Sequence, residues 1–388
     1  MRSLPRTVWI LGVVSLLMDL SSEIYHALLP AFLTVMLGLP VAAMGALDGV
    51  AEATANIAKL ASGRLSDRSR KRRPWILLGY GMAALSKPLF PLATSALPVL
   101  GARFIDRIGK GIRGAPRDAM IVDDTPPQLR GAAFGLRQAL DTIGAFIAPF
   151  AAVGLMVWFA GDIRTVFWIA VIPAALSFLF LLTMLRESEA RVPAGPKLAW
   201  AGFRGLDRDV KRLLAVGFLF GLARFSESFL ILKAMDAGLA AQWSPLVLAV
   251  FNLSYLLLAY PAGALSDRID PKSLLLSGIG VLVAADLWLA EVSTLPAIAI
   301  GVLLWGAHMA LTQGVFSRMI ADAAPPEQRA TSFGAFFFVS GVAALLASLG
   351  AGLLWDRDGP AATFTSAAVL AALAGAMLWL SPVGRRSA

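Results

Sequence analysis

The chain alternates long apolar runs with short polar gaps. A bilayer-spanning helix needs about 20 mostly apolar residues. By that rule twelve segments are expected, over roughly 7–37, 42–62, 74–94, 96–120, 131–158, 164–185, 210–237, 244–266, 273–291, 295–321, 331–354 and 360–382. The gaps differ in charge. Those near Gly38-Leu39-Pro40, Ser95, Ala237-Gly238 and Ser293 are short and hold no Lys or Arg. Those at 64–73, 113–130, 186–212, 268–272 and 318–329 carry Lys or Arg. Only Arg164 and Arg357 fall on the other side, each beside Asp162 or Asp356 and Asp358. Lys/Arg bias sets membrane orientation, so both termini, including Arg385 and Arg386, are expected in the cytoplasm and the chain in the inner membrane. The run after Arg2 and Arg6 continues to about Leu37, longer than a signal peptide, and is expected to stay as the first helix.

The longest polar stretch, Arg186 to Arg212, falls between the sixth and seventh segments. The expected organisation is a six-helix bundle over 1–185, a cytoplasmic linker over 186–209 and a second bundle over 210–388. A short amphipathic helix is expected around Trp200–Leu214. The two halves repeat each other. Gly63-Arg64-Leu65-Ser66-Asp67-Arg68 returns as Gly263-Ala264-Leu265-Ser266-Asp267-Arg268, and Asp123-Asp124-Thr125-Pro126-Pro127 with Phe134-Gly135 returns as Asp322-Ala323-Ala324-Pro325-Pro326 with Phe333-Gly334. Two landmarks at nearly one offset indicate an internal duplication, and in an apolar chain that points to a transporter built from two similar halves.

Composition narrows the classes further. Of 388 residues 58% are hydrophobic and 15% charged, against roughly 25% charged in soluble domains. There is no cysteine, and only His26 and His308 could offer imidazole, so neither disulfides nor a metal centre is expected. The net charge of +9 sits mostly in the gaps and makes no nucleic-acid face. No Gly-x-x-x-x-Gly-Lys-Ser/Thr loop for ATP is present. The expected partners are a small-molecule substrate and the lipid bilayer, with the protein acting as a monomer, no enzyme and no cofactor, and the proton as coupling ion.

Six plus six helices, a central linker and the duplicated loop phrase resemble the major facilitator superfamily along essentially the whole chain. Gly63 through Arg73 is similar to that family's loop 2–3 signature, with Arg70 where a Gly is usual. The resemblance implies gating roles for Gly63, Asp67, Arg68, Gly263, Asp267 and Arg268. Physically, Asp67 can pair with Arg113 or Arg117 on helix 4 or face the positive N-terminal end of helix 11, making a contact that breaks when the halves rock; alternatively the basic run only anchors the loop and Asp67 is its local partner. In helix 5, Gly135, Gly144 and Ala148-Pro149 resemble part of the family's antiporter signature; ordinary small-residue packing is the other reading. Helix 4 around Arg103 is similar to a family pattern in which an Arg assists proton transfer. Asp106, Arg107 and Lys110 are additional charges there, which suit a polar, anionic or zwitterionic solute rather than a lipophilic drug.

Charges inside spans cost about 2.5–3.5 kcal/mol each on insertion scales, so each needs a reason. Helix 1 carries Asp19, Glu23 and His26 on one face; helix 2 Asp48, Glu52 and Lys59; helix 3 Lys87; helix 4 Arg103, Asp106, Arg107, Lys110 and Arg113; helix 5 Arg137 and Asp141. Helix 7 holds Arg224 and Glu227, read most simply as an i, i+3 pair. In the second half Asp286 and His308 also stand out. Asp19 and Glu23, one turn apart, resist ionising together, so one of them is expected to load the proton, with Glu52 and Asp106 as relay or substrate groups. A buried ion-pair network that merely glues the first half together explains the same residues. The expected function is alternating-access export of a small polar or charged solute or drug in exchange for protons, with substrate between helices 1, 4, 7 and 10. The alternative is a proton-coupled uptake symporter on the same fold; a lipid flippase and a non-transporting sensor are further options. The heavier charge in residues 1–185 assigns proton handling and the main gate to that half.

Overall fold

The computed structural model describes residues 4–69, 71–126, 129–187, 205–266, 269–325 and 329–383. Among them the only regular structure is helical. In chain order the helices are α1 (Arg6–Ala31), continued by a π-helical turn (Phe32–Met36), α2 (Val41–Ser69), α3 (Arg73–Ser86), α4 (Leu89–Leu92), α5 (Ala96–Asp124), α6 (Arg130–Trp158), α7 (Ile163–Met184), α8 (Arg208–Ala223), α9 (Ser228–Asp236), α10 (Pro245–Ser266), α11 (Pro271–Glu291), α12 (Leu295–Ala323) and α13 (Arg329–Leu380). Among the described residues eight stretches are long and apolar enough to cross a membrane: 6–36, 132–158, 163–184, 208–236, 241–259, 271–291, 295–320 and 331–380. The segments expected over 42–62, 74–94 and 96–120 are helical but are not among these eight, and the stretch 331–380 holds both segments expected over 331–354 and 360–382, parted by a non-helical kink at Gly359.

Local chemistry explains the interruptions. Gly359 takes φ 84°, a left-handed angle that side chains resist, and Pro360 follows it. The π-helical turn begins just after Pro30, whose missing N–H disturbs the regular ladder. Lys87-Pro88 separates α3 from α4. Asp162, Asp207 and Asp270 cap α7, α8 and α11, each accepting from a backbone N–H of the first turn.

The chain divides into two compact units, one of residues 1–39, 50–196 and 241–246, the other of 40–49, 197–240 and 247–388. The start of α2 thus belongs to the second unit and the segment leading into α10 to the first. In the first unit α1 packs on α6 and α7, and α3 on α5. Gly144 lets α6 approach α1, since a Cβ there would lie 2.5 Å from the Leu16 carbonyl oxygen. Gly79 and Gly109 do the same for α3 and α5. In the second unit α13 packs on α8 and α11, and α11 on α12. Phe225, Trp305, Trp355 and Phe364 form its aromatic centre. Phe336 of the Phe336-Phe337-Phe338 run stacks on Phe316, a packing contact.

Of the polar linker, residues 188–204 lie outside the described residues, including the first five of the expected Trp200–Leu214 helix; α8 begins at Arg208.

Candidate functional site

The first unit gathers the charges of α1, α3, α5 and α6. At its centre Lys87 Nζ donates to Asp106 Oδ1 and to Ser22 Oγ, both at 3.0 Å, and Arg107 Nη2 lies 3.2 Å from Asp106 Oδ2. Lys87 and Asp106 are 1% and 2% exposed. Asp106, expected as a relay or substrate group, is here a closed, doubly compensated anion. The Tyr25 ring lies 5.1 Å from Lys87 Nζ, and its hydroxyl is held 2.6 Å from the Phe167 carbonyl oxygen. Arg103 is buried on the same helix.

One and two turns further along α5 the charges are less closed. The Arg113 guanidinium sits 4.4 Å from the Tyr80 ring centre, with Nη2 4.0 Å from Asp19 Oδ1. Arg113 Nη1 is buried with no hydrogen-bond partner among the described residues. Lys110 is exposed, and Asp141 and Lys110 are further charges acting on Asp19. Arg117 Nη1 donates to Ser15 Oγ at 3.0 Å, and Ser15 shares a 2.9 Å hydrogen bond with the Tyr80 hydroxyl. Arg117 Nε donates to Asp118 at 3.3 Å. Glu23 lies 3.5 Å from His26 Nδ1, so the two acids of α1 face different partners. Arg137 and Asp141 pair along α6. Glu52 is exposed.

The gating residues stand differently. The backbone of Gly63, Asp67 and Arg68 continues α2, but their side chains, with that of Gly263 and all of Asp267 and Arg268, lie outside the described residues. Arg113 and Arg117, the expected partners of Asp67, have the partners given above. A basic residue read as a loop anchor is instead buried: Arg72, 5% exposed, donates from Nη1 to Ser66 Oγ at 2.6 Å and from Nε to Asp123 Oδ2 at 3.3 Å. Ser66 belongs to the first repeated phrase and Asp123 to the second, so Arg72 ties the two together. In the second unit Lys272 stands at the equivalent place and turns to the carbonyl oxygens of Trp379 and Ser381 at the end of α13.

Helix 7 departs from expectation. Its backbone leaves the helix at Arg224 (φ −108°, ψ 82°), so Arg224 and Glu227 do not share one helical face as an i, i+3 pair. Arg224 reaches Met309 and the Phe220 ring, and Glu227 begins α9. Ser226 and Ser228 at this break donate to Asp48 Oδ2 at 2.7 and 2.6 Å within the second unit. In the helix 5 signature Gly144 is needed for close packing, whereas a Cβ at Gly135 would meet nothing within 4 Å, and Pro149 lies inside α6.

Lys87, Tyr25, Tyr80, Ser15 and Ser22 complete the first-unit cluster and had no assigned role. Lys87 was singled out only as an in-span charge; nothing local singled out the others. No group of three or more His, Asp or Glu able to hold a metal ion occurs among the described residues.

A family model described as Major Facilitator Superfamily matches residues 11–247 and 234–387. An uncharacterized MFS-type transporter of Methanocaldococcus jannaschii is 32% identical over 97% of this chain and 95% of its own. A probable 4-methylmuconolactone transporter of Cupriavidus pinatubonensis is 27% identical over 92% of this chain and 86% of its own. The crystal structure of the human organic anion transporter MFSD10 matches the fold with a TM-score of 0.69 at 21% identity, covering 97% of this chain and 100% of that one.

Proposed function

The chain belongs to the major facilitator superfamily and is an integral membrane transporter, and from that premise we propose that it exports a small polar or anionic solute from the cytoplasm in exchange for protons. The observation that carries this reading is the contrast within one cluster of the first unit. Asp106 is fully compensated by Lys87 and Arg107. One to two turns along α5, Arg113 keeps an unpartnered buried N–H beside Asp19, with Lys110 exposed nearby. A guanidinium with a spare donor is a binding group for a carboxylate or phosphate. Asp19, weakly paired at 4.0 Å, is the acid that gains or loses a proton as the cation beside it is taken up by solute. Solute and proton then compete for the same charge, which is the logic of exchange. The likeness to a lactone transporter at 27% identity supports a small organic solute. The helix 5 resemblance supports export.

The test begins with a thermal-shift screen of purified protein against organic acids, phosphates and uncharged metabolites, because a ligand raises apparent stability by mass action. A hit is then followed in proteoliposomes under an imposed pH gradient. Asp19→Asn abolishes gradient-driven transport while the protein still binds the solute; wild-type rates in that variant would sink proton exchange at Asp19. Direction is read by comparing solute movement in right-side-out and everted vesicles.

A further inference from the structure

The second unit holds one acid in the interior of its last helices, and it is sealed. Over 273–290, 295–316, 331–355 and 359–380 the sequence contains no Asp, Glu, Lys or Arg except Asp286. Asp286 on α11 is 0% exposed. Its Oδ1 accepts from Trp305 Nε1 at 2.8 Å, and its Oδ2 has no hydrogen-bond partner among the described residues. His308, one turn beyond Trp305 on α12, is also 0% exposed. The imidazole stands edge-on to the indole, with ring centres 4.8 Å apart. Two buried titratable groups thus flank one tryptophan.

The duplication gives this arrangement its meaning. Asp286 and Trp305 are 19 residues apart, as are Lys87 and Asp106. Both pairs sit at the 199-residue offset of the second repeated phrase (286 − 87 and 305 − 106, as 322 − 123). The same two positions of the repeat therefore make the buried ion pair of the first unit and the acid–indole hydrogen bond of the second. Arg103 and Arg107, flanking cations in the first copy, correspond to Val302 and Gly306 in the second. The second copy thus has an acid where the first has Lys87, an indole where the first has Asp106, and neither of the flanking arginines.

An isolated carboxylate in such surroundings is far costlier than the neutral acid, which needs only one acceptor for its O–H. Charged groups elsewhere in the second unit have neighbours of their own. Arg224, at the end of α8, reaches Met309 and the Phe220 ring. Lys233 on α9 has Asp236 as its charged neighbour. Asp48 is held by Ser226 and Ser228. We propose that Asp286 is a proton-binding site of the second unit, protonated at rest, positioned by the Trp305 indole, and exchanging its proton when the unit admits water. In the exchange step the Asp286 O–H bond breaks and a water lone pair takes the proton, leaving a carboxylate that accepts from Trp305. That this exchange contributes to coupling rests on the transport reading above; the protonation of Asp286 does not.

Infrared spectroscopy of the full-length protein in liposomes tests this without a substrate. At pH 7 the wild type should show a protonated-carboxyl C=O band that is lost in Asp286→Asn, and that shifts to lower frequency when the sample is moved into D₂O. If Asp286→Asn does not accumulate, Trp305→Phe, which keeps the acid and removes its donor, should move the band. Identical acid-carbonyl regions in wild type and variants would overturn the proposal, because Asp286 would then be ionised. A band that never exchanges in D₂O would overturn it too, since a permanently sealed acid carries no proton anywhere. Wild-type gradient-driven transport in Asp19→Asn would strike the earlier reading alone and leave this band unchanged.

Discussion

Buried charges in this chain are distinguished by how completely they are answered. Lys87 and Asp106 are bonded to each other and to further partners. Breaking such a pair strands a charge, so Lys87→Met is expected to cost about 3–5 kcal/mol, and the Lys87→Met/Asp106→Leu double variant clearly less than the sum of the single changes. Thermal unfolding in detergent checks this; additive losses would show that the pair is not coupled. Asp162 offers a milder case outside the spans. The Thr165 hydroxyl, then the backbone N–H groups of the first turn of α7, hold its carboxyl below the usual carboxylate range. Its stabilisation is therefore present above the ordinary carboxylate value and lost as pH falls through the depressed one. Asp162→Ala should cost about 0.5–1 kcal/mol near neutral pH, the low end for a cap because the site is exposed, and nothing once the carboxyl is protonated. A stability difference that persists unchanged into acid would refute the charge-dependent cap. Both Lys87 and Asp106 were visible as in-span charges. Their pairing was not, because no periodicity links residues 19 apart on two helices.

At the scale of elements, hydropathy alone marked most of the helices, since a bilayer admits only hydrogen-bonded backbone and apolar side chains at this length. The exceptions are informative. The break in helix 7 falls at Arg224-Phe225-Ser226-Glu227, which contains neither Pro nor Gly. Nothing local predicts it; Ser226 and Ser228 turn instead to Asp48, far away in sequence. The glycines of helix 5 divide in the same way. Gly144→Val would drive side-chain atoms into the α1 backbone at Leu16 and should lower the unfolding temperature sharply. Gly135→Ala meets open space and should be neutral or stabilise by up to about 1 kcal/mol through helix propensity. If both variants unfold alike, the packing role of Gly144 is wrong. The resemblance to an antiporter signature named both glycines equally, and only the approach of α6 to α1 separates them.

Over the whole molecule the duplication is kept in the order of the repeated phrases and altered in chemistry. The segments exchanged between the units, 40–49 and 241–246, begin 201 residues apart, the same displacement that relates the repeated phrases to within a residue or two. Arg72 and Lys272 occupy matching places, yet the first bridges Ser66 and Asp123 and the second reaches the end of α13. Their described partners belong to different units, so Arg72→Ala and Lys272→Ala should destabilise additively within about 0.5 kcal/mol; strong non-additivity in unfolding would mean that the units are energetically one. The heavier charge of the first half pointed to proton handling there alone, whereas Asp286 gives the second half a proton-binding candidate of its own. The sequence by itself determined the membrane class, the family, the two-fold repeat and the list of in-span charges, because each follows from hydrophobic run length or from residues adjacent along the chain. Only the tertiary structure decided which charges are closed and which remain open. Compensation depends on distances between side chains of different helices, and the same duplicated pair of positions yields a salt bridge in one unit and a lone acid under an indole in the other.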